Sequence, residues 1–208
     1  MNDMGKYNKQ SEIPKTKIVY KNISTQLSKE NHKFQYKMIK SGGRAGEFES
    51  AIEWICLSGI AHQVYRVEQI QLPLESYKSL TDFKFYMNDI GLCSASQRIL
   101  IEDIHSENPL MSNFLGGLTE NYVDMQLRSK GLDLYYWTYK SDAEVDFITR
   151  IDGSIIPIEV KSNDNVKTKS LSYFVKHFQP EYSIRISTKN FGFENGIKSV
   201  PLYAVWCL

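Results

Sequence analysis

Cysteine is scarce. Cys56, Cys93 and Cys207 are odd in number, far apart and without CxxC or Cys/His spacing, which excludes a disulfide framework and a zinc module and fits a reducing compartment. No apolar run is long enough to span a bilayer, and Met1–Lys6 has no apolar stretch behind its charge. The expectation is therefore a cytoplasmic protein with no membrane partner. GxxxxGK[ST], GxSxG and HExxH are all missing, so a P-loop, a serine-hydrolase elbow and a zincin helix are excluded, and no ATPase activity is expected of this chain. His32, His62, His105 and His177 have no metal-ligand spacing and are expected to cap, pack or face water. The thiols, Cys56 and Cys207 above all, are expected in the core. What is present is 208 residues, 42% of them apolar, enough for one or two domains whose core needs no staple.

The formal net charge of +1 conceals an asymmetry. Residues 1–44 carry ten Lys and Arg against Asp3, Glu12 and Glu30, a net of +7, and the remainder carries 15 basic and 21 acidic groups. Such an arm can neutralise phosphates, or it can be a solvated lead-in. Residues 1–22 are expected to be a basic tail or linker, with Pro14 opposing a helix. Residues 23–74 form a winged-helix-like helical unit on this reading: a loose helix over Thr25–Ile39, a clearer one with Phe48, Ala51, Ile52 and Ile55 on one face, and a strand over Ile60–Glu68. Lys33, Lys37 and Lys40 fall at i, i+4 and i+7. With Arg44 they make a candidate nucleic-acid-binding stripe.

Residues 75–208 read as a mixed α/β domain. A strand over Phe83–Met87 precedes a mostly helical stretch to His105, interrupted at Asn108-Pro109. A helix follows from about Asn113 to Lys130, with Leu115, Leu118, Tyr122 and Met125 on one side and Gly131 beyond its end. Strands are expected over Leu134–Tyr139, Ala143–Arg150 and Ser154–Lys161, a helix around Leu171–Phe178, and strands over Tyr182–Ser187 and Leu202–Cys207. The helix between the third and fourth of these strands permits a crossover to a parallel neighbour in a mixed sheet flanked by helices. The aromatics Tyr135, Tyr136, Trp137 and Tyr139 are explained by strand packing.

Asp152-Gly153 between two β-rich runs signals a two-residue hairpin turn. If Ile151 pairs with Ser154, opposed residues sum to 305, so Asp146 faces Glu159, Glu144 faces Lys161, and all four share one side of the sheet. Val145, Phe147, Ile158 and Val160 then point into the core. Two carboxylates roughly 4 Å apart repel by about 4 kcal/mol at an effective dielectric near 20. Something must offset that repulsion, either a solvated network in which Glu144 pairs with Lys161 and Asp146 meets water, or a divalent cation held by oxygen ligands. Asp-x12-Glu-x-Lys after a helix bearing an acid is an arrangement of metal-dependent phosphodiesterases. Asp146, Glu159 and Glu120 are the candidate ligands for Mg2+ or Mn2+, and Lys161 is the candidate catalytic cation. Gly116 and Gly117 lie one turn before Glu120 and are expected to let its helix approach the sheet closely.

These residues resemble the PD-(D/E)XK, or restriction-endonuclease-like, superfamily. The stretches Phe85–Leu92, Gly117–Val123, Tyr136-Trp137, Glu144–Phe147 and Pro157–Ser162 are similar to the C-terminal domain of unknown function appended to bacterial and archaeal AAA-family ATPases. Lys33–Tyr36 and Arg44-Ala45 through Trp54 resemble the helical linker before that domain. The resemblance implies a restriction-endonuclease-like fold and a metal-dependent nuclease-like activity on DNA. It also implies a fragment or truncated relative whose motor, if any, is a separate P-loop ATPase. Two alternatives stand beside it: a non-catalytic docking or regulatory module for a P-loop ATPase partner, and a winged-helix DNA-binding protein.

Overall fold

A computed structural model describes residues 10–29, 32–105, 108, 111–140, 143–162 and 169–208. In chain order the elements are α1 (Ile13–Leu27), α2 (Tyr36–Ile39), α3 (Ala45–Leu57), β1 (Ala61–Val67), a 3-10 turn (Leu74–Tyr77), β2 (Lys78–Met87), α4 (Ile90–Ser96) and α5 (Ile101–His105). They continue with α6 (Ser112–Ser129), β3 (Tyr135–Tyr139), β4 (Ala143–Ile151), β5 (Ser154–Val160), α7 (Lys169–Phe178), β6 (Ser183–Ser187), β7 (Gly192–Glu194), β8 (Ile197–Pro201) and a closing 3-10 turn (Leu202–Cys207). The sheet has eight strands in the order β2-β1-β3-β4-β5-β6-β8-β7 and is mixed. The chain divides into two compact units, one of residues up to Gln63 and Phe83–Leu118, the other of Val64–Asp82 and Thr119–Leu208.

In the first unit the expected basic tail is largely replaced by α1. Pro14 does not prevent this helix, because it stands at the first turn, where its missing N–H has no intrahelical partner to lose. Val19, Ile23 and Leu27, spaced by four, are 0–1% exposed and give the helix its buried stripe. The first part of that tail, residues 1–9, lies outside the described residues, as does Pro109 at the expected break. α3 buries Phe48, Ala51, Ile52 and Ile55 as the periodicity predicts. The helix expected over Thr25–Ile39 is broken: α1 ends at Leu27 and only Tyr36–Ile39 is helical. Lys33 instead bridges Lys84 in antiparallel fashion, Lys37 lies in α2, and Lys40 is extended and ion-paired with Glu47 at 2.6 Å. The three lysines therefore share no helical face, and Arg44 is the residue before α3.

Gly117 also has a different role from the one its position predicts. A Cβ there would stand 2.1 Å from the Leu27 carbonyl oxygen, whereas one at Gly116 would meet nothing within 4 Å. The close approach is between α6 and the end of α1, not between α6 and the sheet.

In the second unit β5, β6 and β8 are mutually parallel neighbours, with α7 as the crossover between β5 and β6. The closing strand expected over Leu202–Cys207 is a 3-10 turn. Strands form instead on either side of Asn195-Gly196, whose φ angles of +52° and +73° make the tight connection between β7 and β8. The buried face of α6 here carries Glu120, Val123, Asp124 and Leu127, all at most 8% exposed and spaced i, i+3, i+4, i+7. Leu118, Tyr122 and Met125, expected to define that face, are only half-buried. No helix among the described residues is long and apolar enough to cross a membrane.

Candidate functional site

The β4–β5 hairpin builds the site. Asp152 and Gly153 have φ of +48° and +89°, the two left-handed residues that a type I′ turn requires. The register runs from Ile151 opposite Ser154 to Phe147 opposite Ile158, both pairs summing to 305. Residues flanking a two-residue turn exchange both backbone bonds, and in an unbroken antiparallel ladder every second pair does so. Val145 and Val160 would be such a pair. Instead the Val160 N–H donates to Asp146 Oδ2 at 2.7 Å.

A bulge explains the departure. On its other edge β4 pairs Ile148 with Tyr135 and Val145 with Trp137, so it carries one residue more than β3 between those points. Val145 and Ile148, which strict alternation sends to opposite faces, consequently share one buried cluster with Tyr135, Trp137, Ala143 and Phe174. The uniform alternation of Val145 with Phe147 is corrected accordingly. The extra residue falls at Asp146-Phe147 and turns the Asp146 carboxylate toward the end of β5.

Glu159 and Lys161 occupy that end. Lys161 Nζ pairs with Glu159 Oε1 at 2.6 Å, and the Lys161 N–H donates to the Ile186 carbonyl on β6 at 2.8 Å. The cross-strand partner expected for Lys161 was Glu144; its ion pair is with Glu159, two residues back on its own strand, and the Glu144 N–H donates to Ser170 Oγ at 3.2 Å. Burial of Lys161 by itself disfavours its charged form. The carboxylates of Glu159, Asp146 and Glu120 outweigh that and hold its pKa above the ordinary lysine value. Each of the three acids singled out in the sequence thus acts electrostatically on Lys161.

Burial separates the two ways of offsetting the acids. Asp146 is 8% exposed, Glu159 3% and Glu120 8%. Asp146 does not point into water, so the solvated-network alternative does not describe this arrangement. Buried carboxylates need hydrogen-bond or charge partners, and Asp146 has the Val160 N–H while Glu159 has Lys161. Among the described residues, no group of three or more His, Cys, Asp or Glu side chains converges as an ion-holding set. Glu120, Asp146 and Glu159 therefore do not form a three-ligand cage. Asp146 and Glu159 carry carboxylate oxygens, the chemistry that a hard divalent cation takes.

Sequence reasoning missed Arg185 beside this group. It is the in-register partner of Glu159 on β6, and its Nη2 donates to Ser199 Oγ at 3.1 Å. The signal was available in Ser183-Ile184-Arg185-Ile186-Ser187, a period-two strand with a charge at the centre of its polar side.

Two stretches of the chain match domain families of unknown function. Residues 115–205, which include Glu120, Asp146, Glu159, Lys161 and Arg185, match a domain of unknown function, DUF4143. Residues 1–101 match another, DUF8612. No curated protein matches the chain. Among solved structures, protein VC1899 from Vibrio cholerae is similar at 12% identity with a TM-score of 0.29, over 93% of this chain. The chain spans about half the length of that protein, 48%.

Proposed function

We propose that the second unit is a restriction-endonuclease-like domain that hydrolyses nucleic-acid phosphodiesters, DNA in the first instance, with Mg2+ or Mn2+. The observation that carries this reading is the burial of Asp146 and Glu159 at the bulged end of a hairpin, with Lys161 paired to Glu159. Buried like charges cost stability, and perturbed ionisable clusters of this kind gather at functional sites. Asp146 and Glu159 would hold the cation. When bound, it supplies neutralisation of phosphate charge and acidification of a water molecule. The chain's own residues do the rest. Lys161 would present an ammonium where negative charge develops on the scissile group, and Glu159, with Asp146 and Glu120, favours its charged form. Asp146 is fixed by the Val160 N–H, so its carboxylate needs no reorganisation. The resemblance to ATPase-appended domains makes a separate P-loop ATPase the protein partner to look for.

The experiment is cleavage of branched, single-stranded and duplex DNA with Mg2+ or Mn2+ by the full chain, Asp146→Asn and Lys161→Met. Metal-dependent cutting lost in both variants supports the reading. Absence of cutting on every substrate, together with no cation-dependent rise in Tm, refutes it.

A further inference from the structure

The acids Asp146 and Glu159 repel an anionic substrate, and Lys161 is already committed to Glu159 at 2.6 Å. A cation not engaged with an acid is needed close by. Among the described residues, Arg185 meets this requirement. Glu159 pairs with Arg185, and Arg185 in turn with Ser199, across three neighbouring parallel strands. Residues paired in this way share a sheet face, and adjacent strands are about 4.8 Å apart. Arg185 therefore stands one strand from the acids. Its hydrogen bond to Ser199 Oγ, on the strand beyond, draws the guanidinium away from Glu159.

Two polar atoms on this strand lack use within the fold. Among the described residues, Arg185 Nε and Ser183 Oγ are buried and meet no hydrogen-bond partner. Ser183 is 1% exposed and, two residues before Arg185, lies on the same face. A buried donor left unsatisfied is costly and calls for an explanation. Guanidinium offers five N–H donors in a planar fork that matches two phosphate oxygens, a geometry an ammonium cannot reproduce. We propose that Arg185, anchored by Ser199 and flanked by Ser183, is a phosphate-binding subsite that holds a backbone phosphodiester next to the one at the carboxylate group. The proposal deepens the preceding reading and rests on it for the identity of the ligand as nucleic acid, but phosphate binding itself is tested without that reading.

The test titrates the full chain with inorganic phosphate in the absence of divalent cations, followed by 31P NMR, and separately with a short single-stranded DNA oligonucleotide. Arg185→Gln is expected to weaken both affinities by roughly tenfold to a hundredfold, the loss of one charge-assisted hydrogen-bonding partner. Arg185→Lys, which keeps charge but not the fork, falls between. Should Arg185→Gln not fold, Ser199→Ala, which removes only the anchor, is expected to weaken phosphate binding in a chain with unchanged circular dichroism. Phosphate affinity equal in wild type and folded variants, or no phosphate binding by wild type, overturns the subsite. Retention of phosphate but not of the oligonucleotide overturns its assignment to a backbone diester. Mn2+ binding is expected to be unchanged in Arg185→Gln. Its absence from wild type counts against the carboxylate site alone, so the two failures are distinguishable.

Discussion

Replacing Lys161 with methionine withdraws the ammonium that pairs with Glu159 and on which Asp146 and Glu120 also act. The Glu159 side chain is 4% exposed and that of Lys161 29%, so this is a pair with one end sealed and the other partly open to water. Removing one partner of a buried pair costs about 3–5 kcal/mol, because the remaining charge is stranded. A solvent-exposed pair contributes under about 1 kcal/mol. Partial opening of Lys161 puts the expected loss near the lower end of the buried range, about 3 kcal/mol at neutral pH. Urea unfolding in EDTA measures it, and the double variant Lys161→Met/Glu159→Gln should regain part of the loss by removing the stranded charge. The pH dependence has a definite sign. A lysine whose pKa is raised on folding contributes stability that is complete below the unfolded value of about 10.5 and is lost as pH rises through the higher folded value. Wild type should lose stability in that alkaline window through this residue, and Lys161→Met should lack that component. A cost below 1 kcal/mol, or a double variant no more stable than the single one, refutes the picture of a buried cluster held by Lys161.

Adjacent glycines in α6 should respond in opposite directions. Gly117→Ala drives a Cβ to 2.1 Å from the Leu27 backbone oxygen, which cannot rotate aside, and should cost about 3 kcal/mol or more in chemical denaturation. Gly116→Ala meets nothing within 4 Å and should stabilise by up to about 1 kcal/mol through helix propensity. Burial pushes the Cys93 thiol up to about 11, whereas Cys207 is exposed. Iodoacetamide at pH 8 should therefore modify Cys207 in the folded chain and reach Cys93 only in denaturant, as peptide mass spectrometry will show.

The hairpin was legible because Asp-Gly dictates its own turn, and the turn dictates register; both needed only local chemistry. The bulge was not. It depends on how β4 meets β3, a non-local pairing that leaves no mark on the sequence Glu-Val-Asp-Phe. Lys161 was singled out, but its ion pair is with Glu159 and not with Glu144, the residue expected opposite it, because extending the ladder past Phe147 and Ile158 ignored that bulge. Glu120 was chosen by spacing from Asp146, while the helix face it occupies was hidden: polar Glu120 and Asp124 sit where burial periodicity looks for apolar side chains. Pro14 was read as a breaker although its place in the first turn makes it harmless, and that reading obscured α1. Asn195-Gly196 carried the same kind of signal as Asp152-Gly153 but was overlooked beside the more apolar Leu202–Cys207. Arg185 gains meaning only from the β5–β6 register, which a parallel crossover sets and sequence alone does not.

The central claim is that Asp146 and Glu159 together hold a divalent cation. Anomalous scattering from crystals of the full chain soaked in Mn2+ tests it most directly. The account predicts one peak within bonding distance of both carboxylates, about 2.0–2.4 Å from their oxygens, absent from Asp146→Asn crystals. A fully soaked crystal with no peak there, or a peak indifferent to that substitution, contradicts it.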